Sequence, residues 1–507
     1  MRLTLRLTSV LAAAVFSLTA TRTHAQQAQQ PFILNNEFPT QGDAFYEFKW
    51  PVKKVAIIGA GAGGLISYRT LSQAGYEVLL YERDHHPGGN WHYTEETPPD
   101  APIPNLDPAI ADFVPSLPPK GITLPFEEVY DLEDVGREKR AFRAPKPIWR
   151  GLRSNAPKVI QQIRELPWPE DLSWDISAIQ LQGYLRAFAS YHGINANDEN
   201  PNVFYNTRVE LVEKRYDTNT GEHRGWRLTL KEFKQIGSKS VKARWWTEDV
   251  DAVVIASGRY NAPNVPGIPG LDEWNAKFPG SVTHSRVYKT PEEYENKTVL
   301  IIGAATSGAE ISGIINPYAK KVYLSNRGHH DPHYQYPWDI FLTYVPDNVT
   351  FVPEIKAFHP ANSAKESIIE FVNGTKLTGI DRVISSTGYR YSFPFFPQYH
   401  DTSLGDNETA SEGPQPLVTD GSHIRSLHLD LVYIEEPTIA FINMNLGIQS
   451  FTYSEYQAAA LASVWKGQAK IPTQERMWEL FEKRLEEFGG AFDKHWLYLG
   501  TDGTQGV

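Results

Sequence analysis

The chain has 507 residues, 12% of them aromatic and 21% charged, which is enough to bury a large core in about two domains. Its formal net charge of −11 argues against nucleic acid as the main partner. It contains no cysteine, which excludes disulfides, thiolate nucleophiles, redox dithiols and cysteine-based metal sites.

Residues 1–25 have the pattern of a secretory signal. Arg2 and Arg6 form a basic start, an apolar run covers 10–19, and small residues at 23 and 25 precede a cleavage point. The run is short for a transmembrane helix, and an uncleaved anchor or a transit peptide is the alternative. We therefore expect a secreted chain, or one in an endomembrane lumen, with no integral membrane segment once mature. Four sequons are glycan candidates on that route: Asn296, Asn348, Asn373 and Asn407.

A strand–turn–helix–strand unit follows over 53–91. Gly59, Gly61 and Gly64 form a G-x-G-x-x-G pattern directly after an apolar run, and the next stretch, 65–74, has helical character. Such glycines allow a tight turn, close approach of a pyrophosphate and close packing of the helix, whose N-terminus favours anions. Glu82 ends the second strand, where a carboxylate can bind ribose hydroxyls. The unit predicts a dinucleotide site.

The middle of the chain changes from loop to helix to strand. Residues 97–125 are rich in proline and predict a loop lying over a surface. Residues 178–192 predict a helix, with Ile179, Tyr184, Leu185 and Phe188 as its apolar side. From 203 to 255 alternating runs separated by turns predict a small β-meander, whose last strand covers 249–255.

A second strand–glycine–helix unit begins at 298–302. Gly303, Ser307 and Gly308 repeat the first turn, but Ala305 stands where the second glycine would be. The turn predicts a second dinucleotide site, with slightly less freedom for the backbone to approach a phosphate.

The strand that follows this helix, 321–324, leads to Arg327 rather than to an acid. A carboxylate would repel a 2′-phosphate, whereas an arginine can bind one with two hydrogen bonds. The second site is therefore predicted to take NADPH rather than NADH. The alternative is that Arg327 only solvates the end of a strand.

The strand-to-glycine exit at 251–258 recurs at 381–389, which indicates two crossings between domains. The tail, 439–467, has the pattern of a strand, a loop and a helix that return to the first lobe. The predicted fold is α/β, with two Rossmann-like dinucleotide-binding domains, the second inserted in the first, and a small β-meander. The predicted boundaries are a signal at 1–25, the first domain at 26–260, the inserted domain at 261–385 and the returning part of the first domain, with a C-terminal helix, at 386–507.

Two nested nucleotide sites fit an enzyme that uses a flavin and a nicotinamide, and several segments resemble the flavin-containing monooxygenase family. The linker residues Phe278, Gly280, His284 and Tyr288 match its F-x-G-x-x-x-H-x-x-x-Y/F motif. Other segments resemble its G-G-x-W, its S/T-N-x-P-K and its two A-T-G linkers, the last imperfectly: 88–91, 154–158, 256–258 and 386–389. The resemblance covers about 53–467.

The resemblance implies an NADPH-dependent flavin monooxygenase of the N,N-dimethylaniline monooxygenase kind. FAD would lie in the first domain, with Gly89 and Trp91 added to its binding residues, and NADPH in the second. Reduced flavin would bind O₂ as a C4a-hydroperoxide and pass oxygen to a soft nucleophile, an amine or a sulfide, of a small-molecule substrate. Asn155 would be catalytic, its amide beside the flavin; the alternative is a loop-capping asparagine. His284 would tie the two domains, and no metal site is expected.

Two other functions stay open at this point. Baeyer–Villiger relatives oxygenate ketones, but they usually carry Trp-Pro where this chain has Tyr288 and Lys289. A secreted flavin-binding protein without turnover is the other, and the intact glycines, acid and asparagine argue against it. A tailoring step in specialised-metabolite biosynthesis would suit the expected compartment.

Overall fold

The computed structural model describes residues 44–326, 339–405, 408–445 and 450–487, and from Phe45 onward these residues belong to one unit. The signal, Arg327 and the Asn407 sequon lie outside the described residues. The strands of the described part are β1 Lys54–Ile58, β2 Glu77–Tyr81, β3 Phe126–Asp131, β4 Val203–Phe204, β5 Thr207–Tyr216, β6 His223–Gln235, β7 Ser240–Val250, β8 Ala252–Ile255, β9 Ala262–Pro263, β10 Val282–His284, β11 Thr298–Ile302, β12 Lys321–Ser325, β13 Thr350–Val352, β14 Ile355–His359, β15 Ile368–Phe371, β16 Lys376–Leu377, β17 Arg382–Ser385, β18 Tyr389–Arg390, β19 Leu427–His428, β20 Val432–Tyr433 and β21 Ile439–Phe441. Its helices are α1 Ala62–Gln73, α2 Val135–Arg143, α3 Ala178–Tyr191, α4 Leu271–Lys277, α5 Thr306–Ile315, α6 Asp339–Leu342, α7 Ser450–Trp465 and α8 Gln474–Glu487.

The first large sheet has the order β19-β20-β21-β8-β1-β2-β4 and is parallel from β21 to β4. Its central strands are buried, which explains their nearly continuous apolar sequence. Helix α1 connects β1 to β2 and packs against α7. Because β21 comes from the tail and pairs with β8, the predicted return of the chain to the first lobe is confirmed.

The second large sheet has the order β10-β17-β11-β12-β13 and is parallel throughout. Helix α5 connects β11 to β12, as α1 connects β1 to β2. The two-Rossmann α/β fold predicted from the sequence is therefore confirmed, while the domain boundaries after 260 and 385 stay predictions.

The β-meander is a four-stranded antiparallel sheet, β3-β7-β6-β5, to which β3 adds a strand from outside the predicted range. The prediction of one strand over 249–255 is wrong, since β7 ends at Val250 and β8 begins at Ala252 in the first large sheet. Asp251, between them, accepts hydrogen bonds from the backbone N–H groups of Lys53 and Lys54 at 2.9 and 2.8 Å. The chain thus changes sheets at Asp251, directly before the apolar residues of β8, and the local pattern does not reveal this.

Helices α1 and α5 each begin three residues before the predicted start, because the glycine turn itself forms their first turn. Helix α3 matches its prediction within a residue, and Ser177 and Gln180 form a capping box at its start. Its predicted apolar side is wrong in one member, since Ile179 is 67% exposed and Leu181 is buried instead. Helix α8 was not anticipated as a separate element.

Candidate functional site: two glycine turns and the segment between them

The first glycine turn has no room for side chains. Gly59 has φ +105°, and a Cβ there would lie 2.6 Å from the carbonyl oxygen of Ala256 at the end of β8. A Cβ on Gly64 would lie 1.8 Å from the carbonyl oxygen of Gly59. Among the described residues no side chain caps α1 at Gly61, and no acid lies in its first turn. The N-terminal N–H groups of α1 therefore favour an anion.

Glu82 connects this turn to the next strand end. Its carboxylate is 5% exposed and accepts hydrogen bonds from the backbone N–H groups of Ala60, at 2.7 Å, and Asp84, at 2.9 Å. A carboxylate has about four acceptor sites, so two are left for ribose hydroxyls. The predicted acid thus lies at the glycine turn and fixes its backbone.

The next two glycines, Gly88 and Gly89, pack against the backbone of the first glycine turn. Gly88 donates its N–H to the carbonyl of Ala60 at 2.9 Å, and a Cβ on Gly89 would lie 2.6 Å from the Cα of Gly61. Trp91, two residues on, is half-buried and packs against the core beneath the first sheet. The structure therefore brings Gly59, Gly61, Gly64, Glu82 and Gly89 together, and gives Trp91 a packing contact beside them.

The second unit repeats this geometry closely. Gly303 has φ +97°, and a Cβ there would lie 2.6 Å from the carbonyl oxygen of Ser386 at the end of β17. A Cβ on Gly308 would lie 1.9 Å from the carbonyl oxygen of Gly303. Ala305 has φ −75° and ψ −168°, an extended conformation that suits alanine and closely matches that of Gly61. Ser307 lies half-buried in the uncapped first turn of α5.

Beside each turn lies a buried serine hydroxyl that no described residue satisfies. The Oγ atoms of Ser257 and Ser386 have no hydrogen-bond partner within the described part of the chain, and each follows the strand that faces its glycine turn. Unpaired buried hydroxyls are costly unless a bound group satisfies them. Together with the two uncapped helices, they fit one dinucleotide at each turn.

Asn155 lies on a turn whose flanks are tightly held. Ser154 donates its N–H to the carbonyl of Ile176 at 2.7 Å, and its Oγ accepts from the N–H of Ala156 at 3.1 Å. The ammonium of Lys158 binds three backbone carbonyls of the following loop, those of 169, 170 and 172. The side chain of Asn155 is exposed, and across the described ranges it makes no hydrogen bond. Its amide is free for a ligand, and its catalytic role stays a prediction.

His284, in the linker motif, is buried and neutral. Its Nδ1 accepts from the N–H of Arg286 at 3.1 Å, so its Nε2 carries the proton donated to the carbonyl of Gly388 at 3.0 Å. Burial, together with the nearby charge of Arg286, lowers the pKa of His284 to about 3. The histidine thus joins the end of β10 to the exit after β17, and it cannot act as a proton donor near neutral pH.

A polar cluster that faces the start of α1 belongs to none of the sequence motifs. A Cβ on Gly63 would lie 2.8 Å from the Cβ of Asn443, whose N–H donates to Oε1 of Gln457 on α7 at 3.0 Å. The buried carboxylate of Asp430 accepts from Nδ2 of Asn445 at 2.8 Å and pairs with Arg484 of α8 at 2.7 Å. Only the tertiary structure joins these distant residues.

Three histidine rings lie together on the loop after Glu82: His85, His86 and His92. Burial of Asp84 is outweighed by its contacts with the rings of His85, at 2.7 Å, and His92, at 3.3 Å, which hold the pKa of that carboxyl well below its usual range. The described residues contain no group of His, Cys, Asp and Glu arranged to hold a metal ion.

Two uncapped glycine turns, each at the parallel strands of its own sheet, define an oxidoreductase fold that binds two dinucleotides. The family model described as flavin-binding monooxygenase-like matches residues 126–349 and 346–496, and an NAD(P)-binding Rossmann-like model matches 57–108. The chain belongs to the flavin-containing monooxygenase family. It is an NADPH-dependent flavin monooxygenase, with FAD and NADPH as cofactors.

Three relatives illustrate the similarity. Flavin-containing monooxygenase iboF of Amanita muscaria is 48% identical over 98% of this chain and 94% of its own length. Flavin-containing monooxygenase ustF2 of Aspergillus flavus is 27% identical over 89% of each chain. The structure of S-allyl-L-cysteine S-oxygenase from Allium sativum has a TM-score of 0.60 at 23% identity, over 88% of this chain and 85% of that one.

Within residues 44–326, 339–405, 408–445 and 450–487, none of the helices combines the length and the apolar character needed to span a bilayer.

Proposed function

We propose that this enzyme oxygenates a soft nitrogen or sulfur nucleophile of a small molecule, using NADPH and O₂. Bound reduced flavin supplies the activated oxygen, and the protein supplies position and exclusion of water. Oxygen transfer to a lone pair requires no base to take a proton from the substrate. The observation that carries the proposal is the amide of Asn155, which is uncharged, has no hydrogen-bond partner among the described residues and lies on a turn with fixed flanks.

The charge state of the linker agrees with this reaction. His284 is neutral and has both ring nitrogens engaged, and the ammonium of Lys289 donates to two backbone carbonyls. Both groups are bound to the backbone, and the proposed oxygen transfer uses neither of them as an acid or a base. The S-oxygenase activity named for the garlic protein is consistent with a sulfur nucleophile, but its similarity to this chain concerns the fold.

Ketone oxygenation is the competing reaction. Baeyer–Villiger relatives usually have proline at the position of Lys289, and a proline cannot donate to the carbonyls that Lys289 binds. The linker therefore supports N- or S-oxygenation, because the residue that differs in Baeyer–Villiger enzymes is the one that binds these carbonyls. The intact glycine turns favour turnover over a carrier role.

We further propose that the enzyme acts on the secretory route, in a tailoring step of specialised-metabolite biosynthesis. The pattern of residues 1–25 and the exposed asparagine of the sequon at Asn296 support the location. The reaction supports a tailoring role, because it adds one oxygen atom to an amine or a sulfide of a molecule whose carbon skeleton is already complete.

The test uses the full chain produced in a secreting yeast host. The purified enzyme receives NADPH, O₂ and one of three probes: thioanisole, N,N-dimethylaniline or cyclohexanone. We expect a sulfoxide or an N-oxide, detected by mass spectrometry, and faster flavin reduction by NADPH than by NADH. Oxygenation of the ketone alone, or of neither heteroatom probe, would contradict the proposal. N-terminal sequencing of the same preparation shows whether the leader is removed.

A matched pair of variants tests Asn155 in this assay. Asn155→Ala removes one amide and should lower the product formed per NADPH about tenfold, the effect of one hydrogen bond of roughly 1.4 kcal/mol. Asn219→Ala removes an exposed asparagine from a turn of the meander and should leave the yield unchanged. Equal yields from the two variants would remove Asn155 from the proposed site.

A further inference from the structure

Lys289, the residue after the linker motif, is a buried ammonium. Lys289 is 3% exposed, and in the described part of the chain it forms no ion pair, although the charge of Glu95 favours its protonated form. Its Nζ donates to the carbonyls of Lys146 and Ile148, each at 3.0 Å, and lies 5.4 Å from the ring centroid of Tyr93. Burial lowers the pKa of Lys289 to about 8. Burying this charge costs free energy, and the two hydrogen bonds to backbone carbonyls offset part of that cost.

The backbone of Lys289 holds the same segment from its other side. Arg150 donates its N–H to the carbonyl of Lys289 at 3.1 Å. The indole of Trp149 packs edge-on against the ring of Tyr288, with centroids 5.8 Å apart, inside the apolar core of the second large sheet. Residues 146–150 precede α3, which packs in the core of the first sheet, yet they themselves contact the second sheet.

This docked segment leads directly to Asn155. Leu152 donates its N–H to the carbonyl of Trp149 at 3.1 Å and packs against the same core, while its own carbonyl accepts from Ala178 at the start of α3 at 2.9 Å. At Leu152 the chain therefore passes from the second sheet to the first domain, three residues before Asn155. Leu152 thus ties the turn of Asn155 both to the core of the second sheet and to the start of α3.

We propose that Lys289 is the positioning residue for the turn of Asn155. Its ammonium clamps residues 146–150 onto the second sheet, and this clamp determines where the Asn155 amide stands between the two nucleotide sites. The inference rests on the proposed role of Asn155. Loss of the clamp should loosen 146–155, so that more of the reduced oxygen leaves as hydrogen peroxide instead of reaching product.

Hydrogen–deuterium exchange of the flavin-free full chain tests the clamp without any turnover. Lys289→Met keeps the apolar stem and removes both donors, and we expect about tenfold faster exchange over 148–155, with the β-meander unchanged. Lys289→Gln keeps an amide donor, so its exchange rate over 148–155 should lie between those of the wild type and Lys289→Met. Lys321→Met is the control, because Lys321 also donates to a backbone carbonyl, that of Asn348 at 3.3 Å, and neither residue is hydrogen-bonded to 146–155 in the described part of the chain.

The holoenzyme then supplies the functional readout. In Lys289→Met the ratio of peroxide to oxygenated product should rise at least about threefold while bound flavin and the rate of its reduction by NADPH stay near wild type. Unchanged exchange over 148–155 in the soluble variants would overturn the proposal, and so would faster exchange with an unchanged ratio. A wild-type enzyme that releases only peroxide would instead contradict the proposed function, and the exchange data would still decide whether Lys289 holds the segment.

Discussion

Two glycine-to-alanine variants should separate the two nucleotide sites. A Cβ on Gly64 would lie 1.8 Å from the carbonyl oxygen of Gly59, and one on Gly308 would lie 1.9 Å from that of Gly303. Normal contacts of a Cβ begin near 3.0 Å, so each carbonyl must retreat by about 1.1–1.2 Å. Both obstacles are backbone atoms at a strand end, which cannot rotate away as a side chain can.

Overpacking of this kind costs about 1–3 kcal/mol. The displaced carbonyl belongs to the turn that receives the dinucleotide, so we expect about 2 kcal/mol of this to appear as lost affinity, which is roughly 30-fold in dissociation constant. The loss should be confined to the nucleotide of the altered turn, because the two turns lie on different sheets.

The assay measures the flavin retained per chain, the dissociation constant for FAD and the NADPH concentration for half-maximal flavin reduction. We expect Gly64→Ala to lose flavin and Gly308→Ala to keep it but to need about 30-fold more NADPH. Gly183→Ala, inside α3, is the control, since a Cβ there meets nothing within 4 Å. Loss of flavin in Gly308→Ala, or normal NADPH use by it, would refute the assignment of the second turn.

Three further predictions concern stability and location. Burial keeps the pKa of His284 at about 3 in the folded protein, so between pH 6.5 and 3 the unfolded chain binds more protons than the folded one. The free energy of unfolding should therefore decrease as the pH falls from 6.5 to 3, by up to about 4 kcal/mol. A His284→Gln variant whose stability decreases equally steeply in acid would contradict this. Arg484→Met leaves the buried carboxylate of Asp430 without that cation and should destabilise by about 3–5 kcal/mol in urea unfolding, whereas Arg476→Met, which removes an exposed pair on the same helix, should change stability by less than about 1 kcal/mol. In a secreting host, Asn296→Gln should remove one glycosidase-sensitive mass increment, because Asn296 is exposed in a turn, and an unchanged mass would show that this sequon is not used.

The sequence determined the local units of this protein well. The strands that flank each glycine turn, β1, β2, β11 and β12, lie within a residue or two of their predicted positions, because apolar runs bounded by glycine or charge are local signals. Four glycines of the two turns, Gly59, Gly64, Gly303 and Gly308, are likewise local requirements: each has a positive φ or a contact too close for a Cβ, and the pattern indicates this before any fold is known. The linker motif identified the family in the same way.

Contacts between distant segments required the tertiary structure. The division of 249–255 between two sheets and the exposure of Ile179 both depend on which neighbours pack against the element, and no local pattern carries that information. Lys289 shows the point most clearly: in sequence it is one more lysine, directly after the linker motif, and only the fold buries it and places its ammonium on the carbonyls of 146 and 148. Burial converts an ordinary solvated charge into a constraint on a segment more than a hundred residues away, because in the core its hydrogen bonds must be made within the protein.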